Sequence, residues 1–104
     1  MEQKSHSETR FGLKKKVLEE ITILAEEHKL QKVILFGSRA RGDYRRASDI
    51  DLAVKGGNIS MFSLDIEEKV PTLLTFDVVD LSNNISDELM ESIEKEGIVL
   101  YEAV

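Results

Sequence analysis

The chain has no cysteine among its 104 residues. Disulfides, thiolate zinc sites and a cysteine nucleophile are therefore excluded outright. Proline occurs once, at Pro71, and no repeat, linker or low-complexity stretch interrupts the sequence. No run reaches the roughly 20 apolar residues that span a bilayer. The polar opening MEQKSHSETR lacks the apolar stretch of a secretory signal. The expectation is a cytoplasmic protein with no membrane contact, in which the sequons at Asn58 and Asn84 are chance matches. An excess of positive charge is missing too. The formal net charge is -6, and non-specific nucleic-acid binding rests on lysine and arginine neutralising phosphates, so generic nucleic-acid binding is not expected. The two histidines, His6 and His28, have no zinc-ligand spacing.

What is present suits one modest globular core. The apolar fraction of 41% is ordinary for a folded soluble domain, and the length is too short for two domains. Residues 1–10 read as a flexible tail and 11–104 as a single domain. Leu13, Val17, Ile21, Leu24 and His28 recur at helical spacing, with His28 at the fringe of that stripe. The branched run KVILF, 32–36, reads as a buried strand ended by Gly37. The stretch SRARGDYRRAS has room for a short helix only. DIDLAV, 49–54, reads as a second strand, with Asp49, Asp51 and Ala53 on one face and Ile50, Leu52 and Val54 on the other. Phe62, Ile66, Val70 and Leu73 form another helical stripe closed near Pro71. LLTFDVVDL, 73–81, is the third strand. Ser86 is a suitable N-cap for a helix carrying Leu89, Met90 and Ile93, Gly97 suits its exit, and IVLY closes the chain as a fourth strand. This order predicts an α/β (α+β) fold, a mixed sheet of about four strands with helices packed mainly on one face.

Two weak signals lie close together. A strand that ends in Gly37-Ser38 and runs into a short helix presents backbone N–H groups, and the Ser38 hydroxyl adds another donor, an arrangement suited to phosphate. Arg39 and Arg41 are near enough in sequence to neutralise more phosphate charge. Alone, a Gly-Ser is usually a plain tight turn. Asp49 and Asp51, two apart on a strand, place carboxylates on the same face about 6–7 Å apart. Such a pair repels itself unless a cation relieves it, and magnesium prefers carboxylate and phosphate oxygens. Alone, Asp-x-Asp is usually a solvated strand. Other motifs fail: Gly37 and Gly42 have P-loop spacing, but Asp43-Tyr44 stands where Lys-Ser/Thr is required. Ala53 and Val54 are apolar where an EF-hand needs a ligand and a glycine.

Taken together, GSRARGDYRRASDID has Gly-Ser, ten intervening residues and then Asp-x-Asp. It closely resembles the signature of the DNA polymerase beta-like nucleotidyltransferase superfamily, and within it the chain looks like the minimal nucleotidyltransferases (the MNT group). The resemblance runs from the first helix to the last strand. It implies a third carboxylate on a later strand. Asp77 and Asp80 are three apart, face opposite sides of a regular strand, and are not separated by periodicity. The family's pattern of an aspartate early in an apolar strand matches Asp77. Carried over, Gly37 and Ser38 hold the nucleotide triphosphate, with Arg39 and Arg41 as further phosphate contacts. Asp49, Asp51 and Asp77 bind magnesium, two ions in the family, and Asp77 also activates an acceptor hydroxyl. The resemblance further implies ATP as substrate and a small helical HEPN protein as partner. In such pairs the nucleotidyltransferase is the antitoxin and attaches AMP to the toxin, commonly at a tyrosine. A second reading is a module that neutralises its partner by contact alone. Self-association is left open.

Overall fold

A computed structural model describes residues 9–104. The first eight residues, His6 included, lie outside the described part. Thr9 and Arg10, expected to belong to a tail, form β1 (Thr9–Arg10), which pairs antiparallel with β2 (Leu13–Lys14). Phe11 and Gly12 turn between them with φ of 59° and 71°. Leu13 is therefore a buried hairpin residue and not the first turn of the helix.

Next come α1 (Lys15–Glu27), β3 (Lys32–Phe36), the single turn α2 (Ser38–Arg41) and β4 (Ile50–Lys55). They are followed by α3 (Ile59–Lys69), β5 (Phe76–Asp80), α4 (Asp87–Glu96) and β6 (Ile98–Glu102). The four long strands form one mixed sheet in the order β5-β4-β3-β6. β3 pairs antiparallel with both β4 and β6, while β4 and β5 run parallel. A parallel pair needs a crossover, and α3 supplies it.

Strand alternation distributes the core. Val33, Leu35, Ile50, Leu52, Val54 and Phe76 face α1 and α3, where Val17, Ile21, Leu24, Phe62 and Ile66 complete the main cluster. Ile34, Phe36, Ala53 and Val79 face the other way and meet Ile93 and Leu89 of α4. Two of the three longer helices thus share one face, and α4 covers part of the opposite one. Each fully buried Leu, Ile or Phe contributes about 1.5–3 kcal/mol, so the α1–α3 side holds most of the stability.

The helices stop for local reasons. α1 gives way at Lys29, whose φ of 58° is left-handed. Asn58 caps α3 through its Oδ1, which accepts from Met61 N–H at 3.3 Å. Ser86 caps α4 by accepting from Leu89 N–H at 3.1 Å, and Asp87 and Glu88 sit favourably at the positive end of its dipole. Gly97 differs from its expected role. Its φ is -66°, and it is needed because a Cβ there would strike the Ile93 carbonyl and the Ile34 side chain. The stripe from Phe62 to Val70 is buried as expected, but Leu73 lies beyond the helix and is fully exposed. Among the described residues, no helix is long and apolar enough to cross a membrane.

Candidate active site

The carboxylates gather at one end of the sheet, where β3 finishes and β4 and β5 begin. Phe36 is opposite Asp51 across the antiparallel pair, and Asp51 is opposite Asp77 across the parallel pair. Adjacent strands lie about 4.8 Å apart, so Asp51 and Asp77 are neighbours on the face that carries α4. Asp49 precedes β4 by one residue and is exposed. Asp51 is half-buried, and its carboxyl is pushed above the ordinary aspartate range. Burial is the main cause, and the charges of Asp77 and then Asp49 add to it. Arg41 and Arg39 pull in the opposite direction, less strongly.

Gly37 follows directly and has φ 77°, ψ -157°. Any side chain here would run into the Asp51 carboxylate, so glycine is required by conformation and by space. Behind it α2 makes one turn: Arg41 N–H donates to Gly37 O at 3.0 Å and Gly42 N–H to Ser38 O at 2.9 Å. The amides of Ser38, Arg39 and Ala40 have no backbone acceptor among the described residues, as is usual for a first turn. The turn starts against the Asp51 carboxylate.

Arg39 requires a correction. It was expected at a phosphate, but it is 2% exposed. Its Nη1 donates to Phe11 O at 3.0 Å, and its Nη2 donates to Arg46 O at 3.2 Å and Ser48 O at 2.8 Å. Its Nε donates to Ser48 O at 3.1 Å, and its guanidinium lies over the Tyr44 ring. A planar fork with five N–H groups is well suited to knitting a loop together, and here it ties the 39–48 segment to the N-terminal hairpin. Arg41 stays at the surface, where Nε donates to Asp43 at 3.3 Å and Nη1 to Glu96 at 3.4 Å.

Asp80 is at the far end of β5, opposite Val54. Its Oδ1 accepts from Ser82 Oγ at 2.7 Å and Ser82 N–H at 2.9 Å. Those bonds hold its carboxyl below the usual range, and they make it a turn residue. The structure therefore separates the two aspartates that periodicity did not.

The densest ligand-like cluster lies elsewhere. Among the described residues, Glu27, His28 and Asp65 have oxygen or nitrogen atoms all within 4.8 Å of one another. Asp49, Asp51 and Asp77 do not meet that spacing. The cluster sits near Gly57, at the opposite end of β4 from Asp51. Its centre is a bond of 2.7 Å between His28 Nε2 and Asp65 Oδ2, with Lys69 Nζ also 3.5 Å from Asp65. It clamps α1 to α3. Asp65 gave no signal in the sequence, because its partner His28 is 37 residues away; Tyr44, under the Arg39 guanidinium, gave none either.

A divalent metal fits the residues at the sheet end. Three carboxylates lie near one another there, one of them held above its ordinary range by burial and by its neighbours, and hard cations take such a set.

Comparison with known proteins identifies the family. Residues 19–103 match the family described as polymerase beta, nucleotidyltransferase. A Methanocaldococcus jannaschii protein named as a protein adenylyltransferase is 37% identical over 82 residues, covering 70% of this chain and 80% of that one. A toxin–antitoxin crystal structure with AMP-PNP is similar at 29% identity and TM-score 0.65, over 83% of this chain and 73% of that one. The structure of a minimal nucleotidyltransferase, also at 29% identity, has TM-score 0.62 over 78% of this chain and 86% of that one. The MntA-HepT toxin–antitoxin structure gives 25% identity and TM-score 0.59, over 84% and 71%. With a family match across most of its length, the chain belongs to the polymerase beta nucleotidyltransferase family and is a nucleotidyltransferase.

Proposed function

We propose that this nucleotidyltransferase moves AMP from ATP to a hydroxyl on a helical HEPN toxin, commonly a tyrosine in such pairs, and so acts in the cytoplasm as the antitoxin. The observation that carries the reading is the convergence of Asp49, Asp51 and Asp77 beside the open amides after Gly37. The relatives support the choice of nucleotide and partner. One solved neighbour is a toxin–antitoxin pair with an ATP analogue, and another relative is named as a protein adenylyltransferase.

Gly37 and Ser38 receive the triphosphate through backbone N–H groups and the Ser38 hydroxyl. Arg41, held only by exposed ion pairs, is free to swing toward the phosphates. Asp49, Asp51 and Asp77 would hold magnesium, which would supply charge neutralisation at the phosphates. Asp77, exposed on β5, takes the proton of the acceptor hydroxyl. The acceptor oxygen bonds to the α-phosphorus, the bond from that phosphorus to the bridging oxygen of the β-phosphate breaks, and pyrophosphate leaves. Positioning and charge do most of this work, so few side chains suffice.

The test uses labelled ATP, magnesium and the helical product of the adjacent gene. Label on the partner with the native chain, and none with Asp49→Ala plus Asp51→Ala, is the expected result. Full neutralisation of the partner by that double variant would reject transfer in favour of contact alone.

A further inference from the structure

A hollow of about 660 Å³ opens where the N-terminal hairpin, the start of α1, the end of α3 and the approach to β5 meet. Pockets that enclose a ligand typically measure about 300–1,000 Å³. Its floor is apolar: Leu13, Val17 and Val70 are buried, and Leu74 is half-buried. Leu73 stands fully exposed at its lip. The backbone around Leu73 is pinned, because Thr72 N–H donates to Val70 O at 2.8 Å and Leu74 N–H donates to Thr72 Oγ1 at 3.1 Å. Presentation of that leucine to solvent is therefore built into the loop.

The walls carry opposite charge. Lys14 of the hairpin and Arg46 of the loop before Asp49 form one wall. Their segments are tied together, since the Arg39 guanidinium donates to both Phe11 O and Arg46 O. Glu67 and Glu68, in the last turn of α3, form the other. All four are exposed, and none of them is in an ion pair among the described residues. The walls thus do not neutralise each other across the apolar floor. The hollow also belongs to the aspartate end of the molecule. Arg46 precedes Asp49 by three residues and Leu74 precedes Asp77 by three, a span of no more than about 11 Å in each case.

We propose that this hollow seats one helix of the acceptor protein, with an apolar side chain over Leu73, Leu74 and Val70, an acidic residue toward Lys14 and Arg46, and a basic residue toward Glu67 and Glu68. This rests on the transferase reading above and names the surface that holds its protein substrate. A segment of one charge sign is attracted by one wall and repelled by the other, and like charges facing each other across an interface select against a partner. A free ion gains nothing from the apolar floor. An amphipathic helix satisfies all three surfaces at once. Its apolar stripe fills a groove through side chains at i, i+3 and i+4, and the residues flanking that stripe bear the charges. A hydroxyl two helical turns from the anchoring residue lies about 11 Å along the helix axis, which matches the distance from the hollow to Asp49 and Asp77.

The chain has no cysteine, so Leu73→Cys and Val99→Cys each supply a single thiol for a benzophenone label. Val99 is half exposed on β6, at the other edge of the sheet from β5. With the adjacent gene's product and a non-hydrolysable ATP analogue, irradiation is expected to crosslink the partner from position 73 and not from position 99. In titrations of the same complex, Lys14→Glu plus Arg46→Glu, and separately Glu67→Lys plus Glu68→Lys, are each expected to raise the Kd for the partner tenfold or more while ATP affinity is unchanged. Failure to form a complex, crosslinking no stronger from position 73 than from position 99, or a wild-type Kd in either double variant would overturn the docking. Crosslinking from position 73 with no transfer by the native chain would leave the docking standing and reject the transferase reading.

Discussion

Asp51 holds a charge where burial and two neighbouring carboxylates all oppose it. Its folded pKa lies above the unfolded value, so its contribution to stability is complete below the unfolded value and is lost as pH rises through the folded one. At neutral pH without metal it is a net cost. Metal-free Asp51→Asn is expected to be the more stable protein at pH 7, by about 0.5 kcal/mol given solvent screening, while losing magnesium-dependent transfer. Urea unfolding with and without magnesium checks both. Arg39 has the opposite character. Arg39→Met would leave the part-buried carbonyls of Phe11, Arg46 and Ser48 without their donors, and a loss of about 1–3 kcal/mol is expected in thermal or urea unfolding. The spacing of Gly-Ser and Asp-x-Asp was legible because strand alternation and a glycine turn are local. The direction of Arg39 was not, since it depends on three carbonyls up to 28 residues away. Asp77 and Asp80 needed the register of β4 against β5, a non-local quantity, to tell them apart.

Between elements, the α1–α3 contact includes one polar fastening in an apolar interface, His28 with Asp65. The bond to His28 is the main reason that the Asp65 carboxyl is held below its usual range, with Lys69 adding to it. A depressed carboxylate contributes stability above its unfolded pKa and loses it as pH falls through the folded one. Acid is therefore expected to loosen α1 from α3 below about pH 4, where aspartate normally titrates. Asp65→Asn should be less stable than the parent at pH 7 and should show a smaller further loss between pH 5 and pH 2, read by urea midpoints across that range. The periodicity of α1 and α3 revealed their buried stripes but placed Leu13 and Leu73 inside helices. A left-handed pair at Phe11-Gly12 and the extended backbone at Val70 before Pro71 end the helical geometry short of both. Apolar spacing does not register such breaks.

The whole molecule is an unequal sandwich. A large core beneath α1 and α3 supports a sheet whose other face meets α4 in a smaller cluster, with Phe36, Ala53 and Ile93 buried among the described residues, and the three aspartates lie beside that thinner layer. A ligand that bridges the aspartates and the Gly37 turn ties β3, β4 and β5 together at their mutual repulsion. Magnesium with ATP at a hundredfold excess over its Kd is expected to stabilise the native chain by about 2.7 kcal/mol. The same addition should leave the midpoint of Asp49→Ala plus Asp51→Ala unmoved in thermal unfolding.

The hairpin at Thr9–Lys14 has a further consequence. The Phe11 carbonyl takes one arm of Arg39, and Gly12 packs so tightly under Tyr44 and Arg39 that a Cβ would strike both. The hairpin thus acts as a strut for the segment that follows Gly37, although Gly12 is 25 residues away from Gly37. A version of the chain beginning at residue 15 is expected to keep its sheet, by circular dichroism, yet to bind ATP several-fold more weakly. Affinity for a small molecule in the middle of the sequence would then be tuned from its beginning, so a fusion or a bound protein that tugs on the leading peptide could dim the enzyme without touching a single aspartate.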